Sequence, residues 1–273
     1  MDRVSVSTVP REVTAPISPN AGVVERLVRS PGRFCLATLA LTTVGLWLDG
    51  FTTLSQQMLL STVVWGYLAI VFFHITPIER AQTIVVIVVA TTAEVIGSII
   101  WGVYEYRLGN LPLFVPAGHG LIYLTGLRLS QMAFVRARAN AFRLFAAVGV
   151  GTWAILGLVA LPQLDVAGAS GALLLLLFLW RGRAPTVYAG VFLAVAFLEI
   201  YGTAIGTWTW AETVPVLGVP DGNPPSGIAG VYVMFDIAAL ALAPAVLAAT
   251  AIPRRWFRRG RATGAQDELT DQS

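Results

Sequence analysis

The chain has 273 residues, 56% of them hydrophobic and 12% charged, with a mean hydropathy of +0.73 and a formal net charge of +3. A soluble domain carries about 25% charged residues, so this composition excludes a water-soluble globular protein. It leaves room for several spans of about 20 residues each but not for a large soluble domain beside them.

Residues 1–32 are polar and interrupted by Pro10, Pro16, Pro19 and Pro31. They read as a disordered cytoplasmic tail rather than a signal peptide, because the apolar run begins late and no small-residue cleavage site follows it. Eight apolar stretches come next, at approximately 34–54, 59–76, 81–104, 113–130, 142–162, 166–180, 187–210 and 227–251. The sixth, around GALLLLLFLW, is short. Cys35, the single cysteine, excludes an internal disulfide and a cysteine metal cluster; at the start of the first stretch it reads as a buried, inert thiol. Asp49, at the outer end of that stretch, reads as solvated. His74, in FFHITP at the inner end of the second, reads as an interfacial group. Residues 253–273 form an Arg-rich cytoplasmic tail.

All 18 basic residues are arginine, and their distribution sets an orientation, since arginine accumulates on cytoplasmic loops. Alternate segments hold Arg3, Arg11, Arg26, Arg29 and Arg33, then Arg80, then Arg128, Arg136, Arg138 and Arg143, then Arg181 and Arg183. The last adds Arg254, Arg255, Arg258, Arg259 and Arg261. The opposite segments hold only Arg107, with Asp49, Glu105, Asp165, Glu212 and Asp221. The expected architecture is all-α and polytopic, about eight transmembrane helices in a bacterial-type inner membrane with both termini cytoplasmic. Because every arginine cluster flanks an apolar run, membrane lipids and not nucleic acid are the expected charged partner.

The third and seventh stretches resemble each other. One reads Glu94-x-x-Gly97-x4-Gly102-x-Tyr104-x-Tyr106 and the other Glu199-x-x-Gly202-x3-Gly206-x-Trp208-x-Trp210. After each, Pro116-Ala-Gly118-His119-Gly120-x-Ile-Tyr123 aligns without a gap to Pro225-Ser-Gly227-Ile-Ala229-x-Val-Tyr232. Two linked matches in one order predict a parallel repeat of two four-helix halves, 33–130 and 131–252. The competing reading is that glycine and aromatics are common in membrane helices. Gly97, Gly202 and Gly206 most simply permit close helix approach, and Tyr104, Tyr106, Trp208 and Trp210 sit where an aromatic belt is expected.

An ionisable residue deep in a span costs roughly 2.5–3.5 kcal/mol and is a functional candidate by default. Glu94 and Glu199 lie roughly 18 Å from the outer ends of their helices at 1.5 Å per residue, and His119 and Asp236 at roughly 9 and 14 Å on the following ones. These four are the candidate catalytic residues, expected to meet in the outer half of the membrane. Tyr123 and Tyr232 stand four residues from His119 and Asp236, on the same helix faces. With Tyr104, Tyr106, Trp208, Trp210 and Asn223 they are the candidate substrate-binding residues. His119 aligns with Ile228 and Asp236 with Leu127, an asymmetry expected of a reaction site. The bland alternative is a buried polar network that holds helices together. A phosphate-binding glycine loop with lysine, a His-Glu-x-x-His helix and a Gly-x-Ser-x-Gly elbow are all absent. No cofactor is expected; a metal held by Glu94, Glu199, Asp236 and His119 is conceivable, but no feature of the sequence specifically supports one.

At Glu94 to Pro116, and from Glu199 through Trp208, Trp210 and Gly218-Val219-Pro220 to Asn223, the chain resembles the carotenoid-biosynthesis membrane family that includes the carotenoid and bacterioruberin-type hydratases. It departs from that pattern at Gly118-His119-Gly120 and Asn223-Pro224-Pro225. The resemblance implies hydration of an isolated terminal double bond of a polyene, an apolar lipid-like substrate. Such a reaction needs an acid able to protonate carbon, aromatic faces that favour the cation and a base that steers water. A transporter, or a lipid-binding or assembly protein of the envelope, would also use membrane acids and repeats.

Overall fold

A computed structural model describes residues 22–270, with side chains through residue 249. Expectations for residues 1–21 and for the side chains of the Arg-rich tail lie outside the described residues. In hydrocarbon every backbone N–H and C=O must be satisfied within the protein, and apolar runs of about 20 residues meet this as helices. A short helix α1 (Val23–Arg29) precedes the bundle, inside the segment read as unstructured.

Among the described residues, six helices are long and apolar enough to cross a membrane. They are α2 (Pro31–Asp49), α3 (Leu54–His74), α4 (Pro77–Glu94) with its π-helical continuation Val95–Ile100, α7 (Ala139–Val159), α9 (Pro185–Ala204) and the Ile228–Ala249 part of α10 (Ile228–Thr270). The chain is a multi-span helical membrane protein. Two more of the expected stretches are helical without meeting that measure: α5 (Phe114–Gln131), and α8 (Val166–Arg181), which has 16 residues. A five-residue turn, α6 (Ala133–Ala137), links α5 to α7. The lower hydropathy of α5 has a positional cause. It packs against α2, α3, α4 and α9, so protein surrounds it and its His119, Thr125 and Arg128 are buried among partners.

Helix starts follow from local chemistry. Thr76 accepts from the Glu79 amide at 3.3 Å while its own N–H donates to the Glu79 carboxylate at 2.9 Å, and Pro77 occupies the first helical position of α4. Asp165 caps α8 through the Gly168 amide at 2.9 Å. Glycine sets the closest crossings. A Cβ on Gly126 of α5 would lie 2.6 Å from the Val191 backbone nitrogen of α9, and one on Gly171 of α8 would strike the Gly227 carbonyl before α10.

Two small sheets lie beyond the helix ends. Strand β1 (Tyr104–Tyr106) pairs antiparallel with β2 (Trp208–Trp210), placing Tyr104 opposite Trp210, Glu105 opposite Thr209 and Tyr106 opposite Trp208. Strands β3 (Thr213–Val214) and β4 (Val219–Pro220) form the second. Gly102 and Gly206, at φ +62° and +74°, turn the chain out of a helix and into β1 and β2, a left-handed conformation that glycine adopts without strain. The interval from Glu94 to Gly102 holds one residue more than that from Glu199 to Gly206. The wider π turn Val95–Ile100 absorbs it.

The readings of four single residues change. Gly97 and Gly202 do not admit a neighbouring helix: a Cβ on Gly97 would meet the Tyr104 ring at 3.2 Å, and one on Gly202 would overlap the Trp208 indole. Each makes room for the first aromatic of its own strand. Gly206 serves the left-handed turn. Asp49 is buried at 1% exposure rather than solvated, because Gln57 Nε2 donates to it at 2.9 Å and the Arg107 guanidinium lies 3.9 Å away, anchored on the Asp49 and Thr52 carbonyls. Cys35 is buried as expected, its thiol facing the Thr125 carbonyl.

Candidate functional site

Glu94 ends the regular part of α4, and the π turn after it carries the chain round so that β1 folds back over the carboxylate. Tyr104 and Tyr106 stand on the same side of β1, two residues apart, and both hydroxyls donate to Glu94 Oε2, at 2.7 and 2.8 Å. Its other oxygen meets His119 Nε2 from α5 at 2.8 Å. The second carboxyl repeats the pattern with different donors. Trp208 and Trp210 of β2 direct both indole N–H groups to Glu199 Oε2, at 3.0 and 3.3 Å. Each acid is thus held by the two aromatics of the strand that follows it in sequence, and pairing of β1 with β2 brings the two assemblies together.

Both carboxyls face one cavity of about 110 Å³, enough for several water molecules. Its remaining wall is largely apolar and aromatic: Leu41, Gly45 and Leu46 of α2, Leu60 and Val64 of α3, Phe114, Ile122 and Gly118 of α5, Leu198 of α9, and Ile228 and Tyr232 of α10. Tyr232 lies 5.1 Å ring to ring from His119, and Tyr104 4.5 Å from Trp210. The aromatics expected to form an interfacial belt therefore line this site, with Trp208 and Trp210 each less than a tenth exposed. A cation at its centre would face several π surfaces.

Of the sequence-predicted residues, Glu94, Glu199, His119, Tyr104, Tyr106, Trp208, Trp210 and Tyr232 line this cavity together. Three others do not. Asp236, expected to meet the glutamates, is buried within the bundle outside the cavity lining, and its Oδ2 has no hydrogen-bond partner among the described residues. The one-turn offset from Tyr232 carries it along α10 past the cavity. Tyr123 sits one turn beyond His119 for the same reason and donates to Gln82 of α4 at 3.0 Å. Asn223 acts on the backbone, accepting from the Trp210 amide at 3.2 Å and so bracing β2.

Two polar groupings were not singled out from the sequence. Arg128, counted as a loop charge, is 2% exposed within α5 and pairs with Glu79 at 2.6 Å. Glu79 also caps α4, so one carboxylate joins the ends of two helices. At the opposite end of the bundle Asp165 accepts from the amides of Gly168, Gly222 and Ser226 at 2.8–3.0 Å, tying the loop before α10 to the start of α8. Asp221 beside it is pushed up to about 7, by burial first and then by the Asp165 charge. The useful signal for both groupings was an acid at a helix start, Thr-x-x-Glu for one and Asp-x-x-Gly for the other.

Fold and site together define a multi-span helical membrane protein with two carboxyls buried at one apolar cavity. No family model, curated protein or solved structure matches the chain. Among the described residues, no group of three or more His, Cys, Asp and Glu is placed to hold a metal ion.

Proposed function

We propose that this protein is a membrane-embedded enzyme that adds water to an isolated double bond of an isoprenoid-like, carotenoid-type lipid. The observation that carries the reading is that two glutamates with unlike hydrogen-bond partners face one aromatic-lined apolar cavity. Glu199 receives hydrogen bonds from neutral indoles and is assigned the acid. Its proton goes to a terminal alkene carbon; the π electrons form the new C–H bond and leave a tertiary cation facing Tyr104, Trp210 and Tyr232. Water attacks that cation through oxygen, and the Glu94–His119 pair takes the proton released. Return of that proton to Glu199 closes the cycle, so alkene and water give a tertiary alcohol with no net proton change. The resemblance to the carotenoid and bacterioruberin-type hydratases at the Glu94 and Glu199 motifs points to the same chemistry.

The same reading takes the chain as two parallel four-helix halves crossing a bacterial inner membrane eight times, termini inside. Several features support a repeat. Each glutamate accepts from both aromatics of its own half, each Gly three residues on underlies the first aromatic, and each strand follows a left-handed glycine. The β1–β2 register is that of two strands related by a two-fold axis, and the packing of α4 on α10 and of α5 on α9 exchanges under the same axis.

The test is turnover of an acyclic polyene with isolated terminal double bonds by the purified protein in ¹⁸O-labelled water. The expected product gains one labelled oxygen. Glu94→Gln and Glu199→Gln, which keep shape while removing titration, should each lower the rate by about 10²–10⁴-fold with normal membrane insertion. Full activity in both variants would refute the assignment.

A further inference from the structure

A second cleft lies between α8, α9 and α10, at the end of the bundle where α4 begins and α5 ends. We infer that it binds an anionic phospholipid, with the head group on Arg181 and Arg183 and the acyl chains along the apolar wall. The cleft measures about 400 Å³, and its lining separates by chemistry: Arg181, Gly182 and Arg183 at the mouth, then Phe178, Ile237 and Leu240. The wall continues onto Leu177, which is half exposed on the apolar helix α8. An amphipathic cleft of this kind fits a ligand with one charged end and a long apolar body.

Charge accounting gives the sign of that end. Of the described carboxylates, Glu25 and Glu79 at this end of the bundle each have their own arginine, Arg29 at 3.2 Å and Arg128 at 2.6 Å, and Asp236, next to the cleft's Ile237, is buried within the bundle at 2% exposure and pairs with no arginine among the described residues. Neither Arg181 nor Arg183 has a carboxylate partner among the described residues. Arg143 adds a third guanidinium close by, donating to the Leu179 carbonyl at 2.7 Å. Arg181 is steadied over the Trp180 ring, 4.4 Å from its centroid, and the flanking indole is itself an interfacial anchor. Basic pockets between membrane helices at the headgroup level attract anionic lipid heads, and an arginine fork matches phosphate geometry.

Full-length protein in nanodiscs, given trace photoreactive phosphatidylglycerol or phosphatidylcholine, tests this by mapping the crosslinked peptides. Phosphatidylglycerol should label residues 177–188 and 237–241 several-fold more than phosphatidylcholine. Arg181→Ala and Arg183→Ala should each cut that labelling about fivefold. The charge-preserving Arg181→Lys and Arg183→Lys variants should keep most of it, which guards against a folding defect in the alanine variants. Arg136→Ala with Arg138→Ala, exposed arginines of the same end outside the cleft, should leave it unchanged. Equal labelling by the two lipids, or equal loss in the Arg136/Arg138 variant, would overturn the proposal. Suppression by excess glycerol 3-phosphate would do so too, by assigning the cleft to a soluble anion.

Discussion

Glu94 and Glu199 share an environment built from their own sequence neighbours, yet the donors differ: two phenols and an imidazole for one, two indoles for the other. The glycines three residues on are part of the same device, because the first aromatic of each strand packs over them. Gly97→Ala asks a tyrosine ring to give a few tenths of an ångström, whereas Gly202→Ala drives a methyl into the Trp208 indole. Overpacking of this kind costs about 1–3 kcal/mol. Gly202→Ala should therefore lower the melting temperature and shift the tryptophan emission as Trp208 leaves Glu199, with Gly97→Ala showing the smaller change in both. The reverse order would mean that the two glycines serve helix packing after all. Glu, Gly and the paired aromatics were all legible as a motif. Which atoms they would bind was not, because a spacing of nine to twelve residues spans a turn whose geometry depends on the π segment and on the two left-handed glycines.

At the scale of elements, the β1–β2 pairing joins parts of the chain about a hundred residues apart and closes the site over both acids. Glu105 and Thr209 are opposite each other at its centre, with both side chains exposed. Antiparallel partners have Cα atoms about 4.5–5.5 Å apart, within disulfide range. Glu105→Cys with Thr209→Cys, in a Cys35→Ser background, should therefore crosslink under mild oxidation. After proteolytic cleavage between α5 and α8 the two fragments should stay joined until reductant is added. Fragments that separate without reductant would contradict this register. Hydrophobic length located the helices well, α5 included, although its hydropathy is lower for a physical reason. A helix enclosed by protein can carry His119, Arg128 and Gln131, since other side chains rather than lipid receive them. The same enclosure moved Arg128 from a presumed loop into a buried pair with Glu79.

At the scale of the whole molecule, Asp165 ties the loop before α10 to the start of α8, and Asp221 beside it gives this part a pH dependence. Asp221 is pushed up to about 7 from an ordinary value of 3.8, so the folded state disfavours its ionised form. Its contribution is least unfavourable below pH 4 and worsens as pH rises from about 4 to about 7, with little change beyond. Thermal stability in detergent should fall across that window, and Asp221→Asn should flatten the fall; an identical slope in the variant would remove Asp221 as its source. For the proposed topology, reporter fusions after residues 110 and 220 should read extracytoplasmic, and those after 138 and 265 cytoplasmic. A cytoplasmic signal from residue 220 would break the eight-span arrangement.

Multi-span membrane residence, helical class and the positions of the six long apolar helices were determined by the sequence alone, because in lipid the free energy depends on length and composition summed along one segment. The acids, too, were conspicuous there, since charge inside an apolar run is costly wherever the run sits. What only the tertiary structure decided was company. It joined His119 to Glu94, set two indoles on Glu199, kept Asp236 and Tyr123 apart from them, and gave Asp49 and Arg128 buried partners. Those outcomes depend on crossing points set by glycines such as Gly126 and Gly171 and on a strand register between distant segments. Both are interactions between pairs of elements, and no property of either element alone contains them.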